Sequence, residues 1–498
     1  MTAPATAARA GPAPFFGAIV RRLGSQPSSF GEQCRRAAAA CRNGDDAMND
    51  ASGAPRPRSL KQPYGQYYRR RTPAPDRTLA EAGPGTAGGE YLRRFWQPIA
   101  LSAELKDLPV KVTAMGEEVV LFRDRSGRVG CLEPHCSHRG TSLEFGAIEE
   151  RGLRCCYHGW LFDVDGTVLE TPNDPASTLK DRICHGAYPV HEEKGLVFVY
   201  MGPPDAKPEF PTYDVAADPA QDLVPYAITT PCNWIQVFEN IMDPVHGVFL
   251  HTRIAGAQFS ESFGDLPLLE FRESDLGMYY ITPRRVGDKV WVRMNDVVMP
   301  NILRAGFVWE DGYREKHFTR GSLLRWCVPI DDESCLAIGW RLFNPETDPT
   351  GKGDKRAVGK ESVDFIGQTG ERPYAERQRI PGDYDAQVSQ RPIAIHALEH
   401  LQGSDKGIAM MRRLIREGQE AVVAGREPKA VRGSVGRIIS TYCTDTVVRV
   451  PKRDGVDDEQ TLWRIGHGVA DIVTDPANGQ GVARHARVVA RVKALAEE

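Results

Sequence analysis

The sequence predicts an α+β protein, an all-β module followed by a larger antiparallel sheet framed by helices. Three observations carry this. Short strand-like runs bounded by turn residues crowd residues 90–204. A connector rich in Pro and Asp, KPEFPTYDVAADPAQD, comes next. Beyond it a helix-like stretch is followed by β-rich runs and then by a second helical pattern.

Residues 1–75 read as a disordered or dispensable extension. They are rich in Ala, Pro, Gly and Arg, and hold too little apolar pattern for a core. The absence of acidic residues before Glu32 imitates a transit peptide, but a start at Met48 is the simpler account, and the expected location is cytoplasmic. The basic run Arg69-Arg70-Arg71 is read as a solvated face. Order begins near Glu90, after a Gly-rich GPGTAGGE that lacks the Lys-Ser/Thr of a phosphate loop. EVVLF (118–122) and RVGCL (128–132) flank the turn Asp124-Arg125-Ser126-Gly127. WLFDV (160–164) precedes Asp165-Gly166, and LVFVY (196–200) ends at Gly202-Pro203-Pro204.

The second region, 220–430, opens with a helical stretch from Asn233 to Leu250, where Trp234, Phe238, Ile241, Val245 and Phe249 recur at helical spacing. Strands follow at LLEF (268–271), MYYIT (278–282), VWVRM (290–294), LLRWCVPI and CLAIGWRLF. Ile408, Met411 and Ile415 mark a late helix behind Ser404 as N-cap. Residues 431–498 carry mixed signals and are left as an unassigned tail.

The 498 residues hold 63 basic and 66 acidic side chains, a net charge of −3. That balance offers no electrostatic argument for a nucleic-acid partner or an anionic membrane. No apolar run approaches the ~18 residues of a membrane span. The eleven cysteines show no disulfide rhythm. Five of them lie between Cys131 and Cys184, together with His135, His138, His158 and His185.

Within that stretch Cys136-Ser137-His138 and Cys155-Cys156-Tyr157-His158 spell C-x-H and C-x-x-H, each bringing one thiolate and one imidazole to a loop tip. Two cysteines on one iron and two histidines on the other would hold a [2Fe–2S] cluster. A structural zinc site takes the same ligands, and Cys156 is an alternative to Cys155. A second constellation, Asn240-Ile241-Met242-Asp243-Pro244-Val245-His246, continues to His251. Asp243 and His246 share a helical face. His251 is poorly registered on a straight helix, and Pro244 and Gly247 give reasons for a bend. Two imidazoles and one carboxylate form the triad that leaves iron(II) positions open for O₂. The carboxylate is left open among Asp364, Asp383, Asp385, Glu399 and Asp405.

Residues 136–160, CSHRGTSLEFG…RCCYHGW, resemble the Rieske motif of the Rieske non-haem iron oxygenases, and D-x-x-H-x-x-x-x-H at 243–251 resembles their mononuclear-iron signature. The resemblance covers roughly residues 90–425 and is nearest the phthalate-dioxygenase-like branch. It implies a Rieske [2Fe–2S] domain at 90–204, held by Cys136, His138, Cys155 and His158. It further implies an antiparallel-sheet, helix-grip-like catalytic domain at 220–430 with a mononuclear Fe(II) on His246 and His251. The late segment EHLQGSDKGIAMMRRL makes Asp405 the expected third ligand, against a rival role in capping its helix. Asp243 would bridge to His158 of a neighbouring subunit, implying a homotrimer or hexamer. The reaction implied is hydroxylation or O- or N-demethylation of an aromatic compound, carboxylated or methoxylated, with O₂. Electrons would come from a separate NAD(P)H-dependent reductase or ferredoxin, since the chain has neither a dinucleotide fingerprint nor a plant-type ferredoxin spacing. Arg304, Arg325 and Arg341 are candidates to meet a carboxylate. The alternatives are a Rieske electron-transfer protein without oxygenase activity and a sterol-type hydroxylase or desaturase.

Overall fold

The computed structural model describes residues 72–344, 348, 351–430 and 437–497. The expectations for the transit-like segment, Met48 and Arg69–Arg71 lie outside the described residues.

Three small antiparallel sheets build the first module. Leu196–Val199 pairs with both Gln97–Leu101 and Val190–Glu193. A second sheet runs Val110–Ala114, Glu117–Arg123, Val129–Leu132 and Ala187–Tyr188; a third runs Ala147–Ile148, Leu153–Arg154, Leu161–Phe162 and Val168–Glu170. The turn after Arg123 forms where the sequence places it. Asp124 Oδ1 accepts from Ser126 Oγ at 2.6 Å and from the Arg128 amide at 3.0 Å, and Gly127 takes φ +93°. Arg128 ties that turn to the third sheet by pairing Asp124 at 2.7 Å and Asp163 at 2.8 Å. Val120, Phe122, Leu132, Leu143, Leu153, Phe162 and Val168 pack together, and Cys136, Cys155 and Trp160 sit in that same core.

The second module is a ten-stranded antiparallel sheet. Its strands are β1 (Asp222–Thr230), β2 (Glu270–Glu273), β3 (Gly277–Val286), β4 (Lys289–Met294), β5 (Asp296–Val298), β6 (Ile302–Ala305), β7 (Lys316–Arg320), β8 (Leu323–Pro329), β9 (Cys335–Phe343) and β10 (Thr444–Arg449). They lie in the order β1-β9-β8-β6-β5-β3-β4-β10-β7, with β2 beside β3. β8 is buried along its whole length, which its run of Leu, Trp, Cys and Val requires. Trp326 and Trp340 on β8 and β9 pack at 5.4 Å and receive Phe198 of the first module, so the two modules share one core.

Two expectations need correction. The stretch from Asn233 to Leu250 is not one helix. It is α1 (Trp234–Glu239), a 3₁₀ turn to Met242, a turn at His246–Val248 and a π turn at Phe249–Arg253. Asn233 caps α1 by accepting from the Ile235 amide at 3.1 Å. Asp243 then leaves the helical region at φ −114°, ψ 81°, as the residue before a proline must. Nor does the sheet end at residue 430. After α2 (Lys406–Val423), the segment left unassigned supplies β10, which joins β4 to β7. It also supplies α3 (Asp458–Thr474) and α4 (Gly481–Glu497). Their Leu462, Ile465, Val469, Val473, Val488 and Val492 cover Ile281, Val290, Val292 and Phe318 of the sheet.

Candidate metal centres

Two loops with the same local plan present the first set of ligands. In one, the Gly140 amide donates to the Cys136 carbonyl at 2.8 Å; in the other, the Gly159 amide donates to the Cys155 carbonyl at 3.1 Å. Each glycine lies four residues after its cysteine with φ near +75°, the left-handed conformation that closes the loop. Cys136 and Cys155 are both buried and their thiols are in contact, whereas Cys156 is exposed. Burial, with the neighbouring thiol, pushes Cys136 up to about 11. The His138 and His158 rings stand 4.4 Å apart, and His138 stacks on Trp160 at 5.0 Å. His138 Nδ1 is buried without a hydrogen-bond partner. A buried imidazole nitrogen left over, two facing thiols and a second imidazole fit a cluster bound through two sulfurs and two nitrogens. His185 braces the first loop: its ring nitrogens meet Ser137 Oγ at 2.7 Å and the Glu133 carbonyl at 2.8 Å.

The second set converges behind the break after α1. In a regular α-helix, residues five apart diverge by about 140°. The wider turn at Phe249–Arg253, closed by the Ile254 amide on the Phe249 carbonyl at 3.0 Å, brings His251 back toward His246. Their rings are 5.2 Å apart. Asp383, the first residue of the short helix Asp383–Val388, lies against both. Its Oδ1 is 3.2 Å from His251 Nε2 and 3.5 Å from His246 Nε2. The three side chains offer ligand atoms within 4.8 Å of one another, the one such group among the described residues.

The partners of the other ring nitrogens fix the tautomers. His246 Nδ1 faces the Asp243 carbonyl, which can only accept, so Nδ1 carries the proton. His251 Nδ1 meets Gln258 Oε1 at 2.8 Å. Both Nε2 lone pairs therefore face a carboxylate oxygen, an arrangement that calls for a cation between them. Burial raises Asp383, yet positive charge at the His251 and His246 rings, which a bound cation would supply in place of protons, holds it well below the ordinary carboxylate range. The three residues fit a divalent iron.

Asp405 is not among them. Its Oδ2 accepts from the Gln402 amide at 2.7 Å at the start of α2, so it serves the helix end and not the metal. That helix begins at Lys406, with Asp405 and not Ser404 at the N-cap position. The other carboxylates considered are engaged elsewhere: Asp364 pairs with Arg341 at 2.8 Å, Asp385 with Arg377 at 2.5 Å, and Glu399 with Arg412 at 2.5 Å. Asp243 borders the site. Its Oδ1 accepts from the Val245 and His246 amides at 3.1 and 3.2 Å, which sets the turn carrying His246.

Beside the histidines opens a cavity of about 130 Å³. Phe259, Phe263 and Phe365 wall it, and its polar lining includes Arg284, Arg293, Arg325 and Asn295 besides Asp243 and Asp383. Of the three arginines proposed from the sequence, Arg304 pairs with Asp296, Arg341 pairs with Asp364, and only Arg325 reaches the cavity. Sequence reasoning missed Arg284, which is 4 % exposed. Arg284 lies over the Trp291 ring at 4.6 Å, has an unpartnered Nε, and makes only long bonds from Nη1 to the Ser262 and Asp265 carbonyls, at 3.3 and 3.4 Å. Burial and the neighbouring Arg293 pull its guanidinium down to about 10.

Comparison with known proteins gives the family. A Rieske [2Fe-2S] domain model matches residues 95–186. The chain is 42 % identical over 436 residues to the tert-butanol monooxygenase / tert-amyl alcohol desaturase oxygenase subunit of Aquincola tertiaricarbonis, covering 83 % of this chain and 92 % of that one. It is 39 % identical over 388 residues to the phenoxybenzoate dioxygenase subunit alpha of Ectopseudomonas oleovorans, covering 74 % and 91 %. The solved structure of NdmB from Pseudomonas putida CBB5 shares the fold, with a TM-score of 0.51 and 19 % identity over 71 % of this chain and 96 % of that one. The chain belongs to the Rieske oxygenases, as an oxygenase subunit. It is an O₂-dependent oxidoreductase whose cofactors are a [2Fe–2S] cluster and a mononuclear iron, working in a multicomponent system. No helix among the described residues is long and apolar enough to cross a membrane.

Proposed function

We propose that the chain oxidises a compact aromatic carboxylate, by hydroxylation or by O- or N-demethylation. Cys136, His138, Cys155 and His158 would hold the cluster, and His246, His251 and Asp383 the catalytic iron. When bound, the cluster supplies electrons singly and the iron supplies open positions for O₂. The chain's own residues do the rest. Phe259 and Phe365, packed edge to face with ring centres 5.8 Å apart, exclude water and present an apolar wall beside His251. Arg284 anchors the far end of the substrate.

Arg284 is the observation that carries the substrate class. Among the described residues no carboxylate forms an ion pair with it, although it is buried and lines the cavity. A buried guanidinium lacking an anion is costly, and a substrate carboxylate supplies the missing partner. A cavity of 130 Å³ has room for roughly ten water-sized groups, the size of a single substituted ring. Calorimetric binding of benzoate, benzamide and tert-butanol tests the assignment. Benzoate is expected to bind at least ~10-fold tighter than its neutral isostere, and Arg284→Gln to abolish the difference. Tighter binding of tert-butanol, with no effect of Arg284→Gln, would favour the aliphatic-alcohol chemistry of the Aquincola relative.

Electrons would come from a separate reductase or ferredoxin and cross between subunits of a homotrimer or hexamer, from His158 of one chain to Asp243 of the next. Within one chain no hydrogen bond or ion pair joins these two among the described residues. Asp243→Asn keeps an oxygen for the Val245 and His246 amides but loses the charge. It is expected to keep both iron sites filled and to slow oxidation of the reduced cluster at least ~100-fold in single turnover. An unchanged rate would remove Asp243 from the route.

A further inference from the structure

Gln258 touches two things at once. Its Oε1 meets His251 Nδ1 at 2.8 Å, and its Nε2 meets the backbone carbonyl of Ile366 at 2.8 Å. A carbonyl only accepts, so the group facing Ile366 must be the amide NH₂ and the group facing His251 must be the oxygen. His251 Nδ1 is therefore the donor, and its Nε2 lone pair is turned toward Asp383. The backbone repeats the link: the Gln258 amide donates to the His251 carbonyl at 2.8 Å.

The segment that Gln258 holds reaches the other ligand. Gln368 Nε2 donates to Asp383 Oδ2 at 2.6 Å, and its Oε1 accepts from Arg325 Nη2 at 3.3 Å. Between them Gly367, at φ +85°, lies so close to Gly382 that a Cβ on Gly382 would sit 2.2 Å from the Gly367 Cα. This contact seats residues 365–368 against the turn that starts the helix of Asp383. The same short strap thus carries a cavity wall, Phe365, and anchors on two of the three metal-site residues.

We infer that Gln258 is a positioning residue of the mononuclear site: it selects the His251 tautomer that can bind iron, and it fastens the Phe365–Gln368 strap to that histidine. This rests on the reading of His246, His251 and Asp383 as the iron site. Two substitutions separate the two tasks. Gln258→Glu keeps an acceptor for His251 Nδ1 but turns a second acceptor on the Ile366 carbonyl. Gln258→Leu removes both bonds.

The test follows loss of ferrous iron from the full-length holoprotein to the chelator ferrozine, with the visible absorption of the cluster as the internal control. Gln258→Leu is expected to lose the mononuclear iron ~10–100-fold faster than the natural protein at unchanged cluster absorption. Gln258→Glu is expected to hold iron within about threefold of the natural protein, while hydrogen exchange across residues 362–372 quickens. Iron retention by Gln258→Leu at the natural rate would overturn the inference. So would equally fast loss from Gln258→Glu, since packing and not the acceptor would then hold the histidine. If the Leu variant does not fold, Gln258→Glu decides alone: retained iron with a loosened strap supports the inference, and lost iron or an unaltered strap overturns it. Absence of chelatable iron from the natural protein would instead remove the site reading itself.

Discussion

Asp383→Ala is expected to abolish turnover, by at least ~10³-fold, and to remove the mononuclear iron while leaving the cluster in place. The reason is electrostatic as well as geometric. In the proposed site Asp383 would bring the one negative charge to two neutral imidazoles, and its Oδ1 faces both Nε2 atoms at 3.2 and 3.5 Å. Without it a divalent cation would keep only two nitrogens, a set that binds weakly. Asp405→Ala makes the matched control. Its carboxylate serves the Gln402 amide at the head of α2, so that change is expected to cost about 1 kcal/mol of stability and no iron. Iron and activity measured on both variants check the assignment. Iron lost from Asp405→Ala and kept by Asp383→Ala would reverse it.

Asp445→Ala is expected to be the most destabilising single change outside the metal sites, at ~3–5 kcal/mol. Asp445 is fully buried on β10 and accepts four bonds: two from Arg293 at 2.8 and 2.9 Å, one from Trp291 Nε1 at 2.8 Å and one from the Phe307 amide at 2.7 Å. Removing it leaves Arg293 as a second unpaired guanidinium beside Arg284. Burial opposes the charge on Asp445, but Arg293 holds its carboxyl below the ordinary range. A lowered folded-state value means the contribution is complete above the unfolded aspartate's pKa of ~3.9 and is lost as pH falls through the folded value. Thermal or urea unfolding is expected to separate variant from natural protein widely at pH 7 and less in strong acid. Equal midpoints at pH 7 would mean that the ion pair contributes nothing net.

Both residues show what the sequence could and could not convey. The paired C-x-H and C-x-x-H and the D-x-x-H-x-x-x-x-H were legible because each puts its chemistry within a few consecutive residues. Asp383 was not, because the third carboxylate arrives from a helix far along the chain and nothing local sets it apart from Asp364, Asp385 or Glu399. Its one sequence mark is Gly382, which the close approach of Gly367 requires, and a lone glycine before an aspartate is an ordinary helix start. Asp405 misled because it precedes an amphipathic helix with Arg412, but Arg412 pairs with Glu239 and Glu399. The C-terminal strand was hidden by its own buried polar groups. Thr444, Asp445 and Thr446 give the run no apolar alternation, yet all three are fully enclosed. The spacing of His246 and His251 predicted a bend but not a π turn, which depends on how Phe249–Arg253 closes.

Total iron, zinc and acid-labile sulfide per chain on anaerobically purified protein test the central claim most directly. About three irons and two sulfides are expected, two irons with the cluster and one on His246, His251 and Asp383. Zinc without sulfide would contradict that claim.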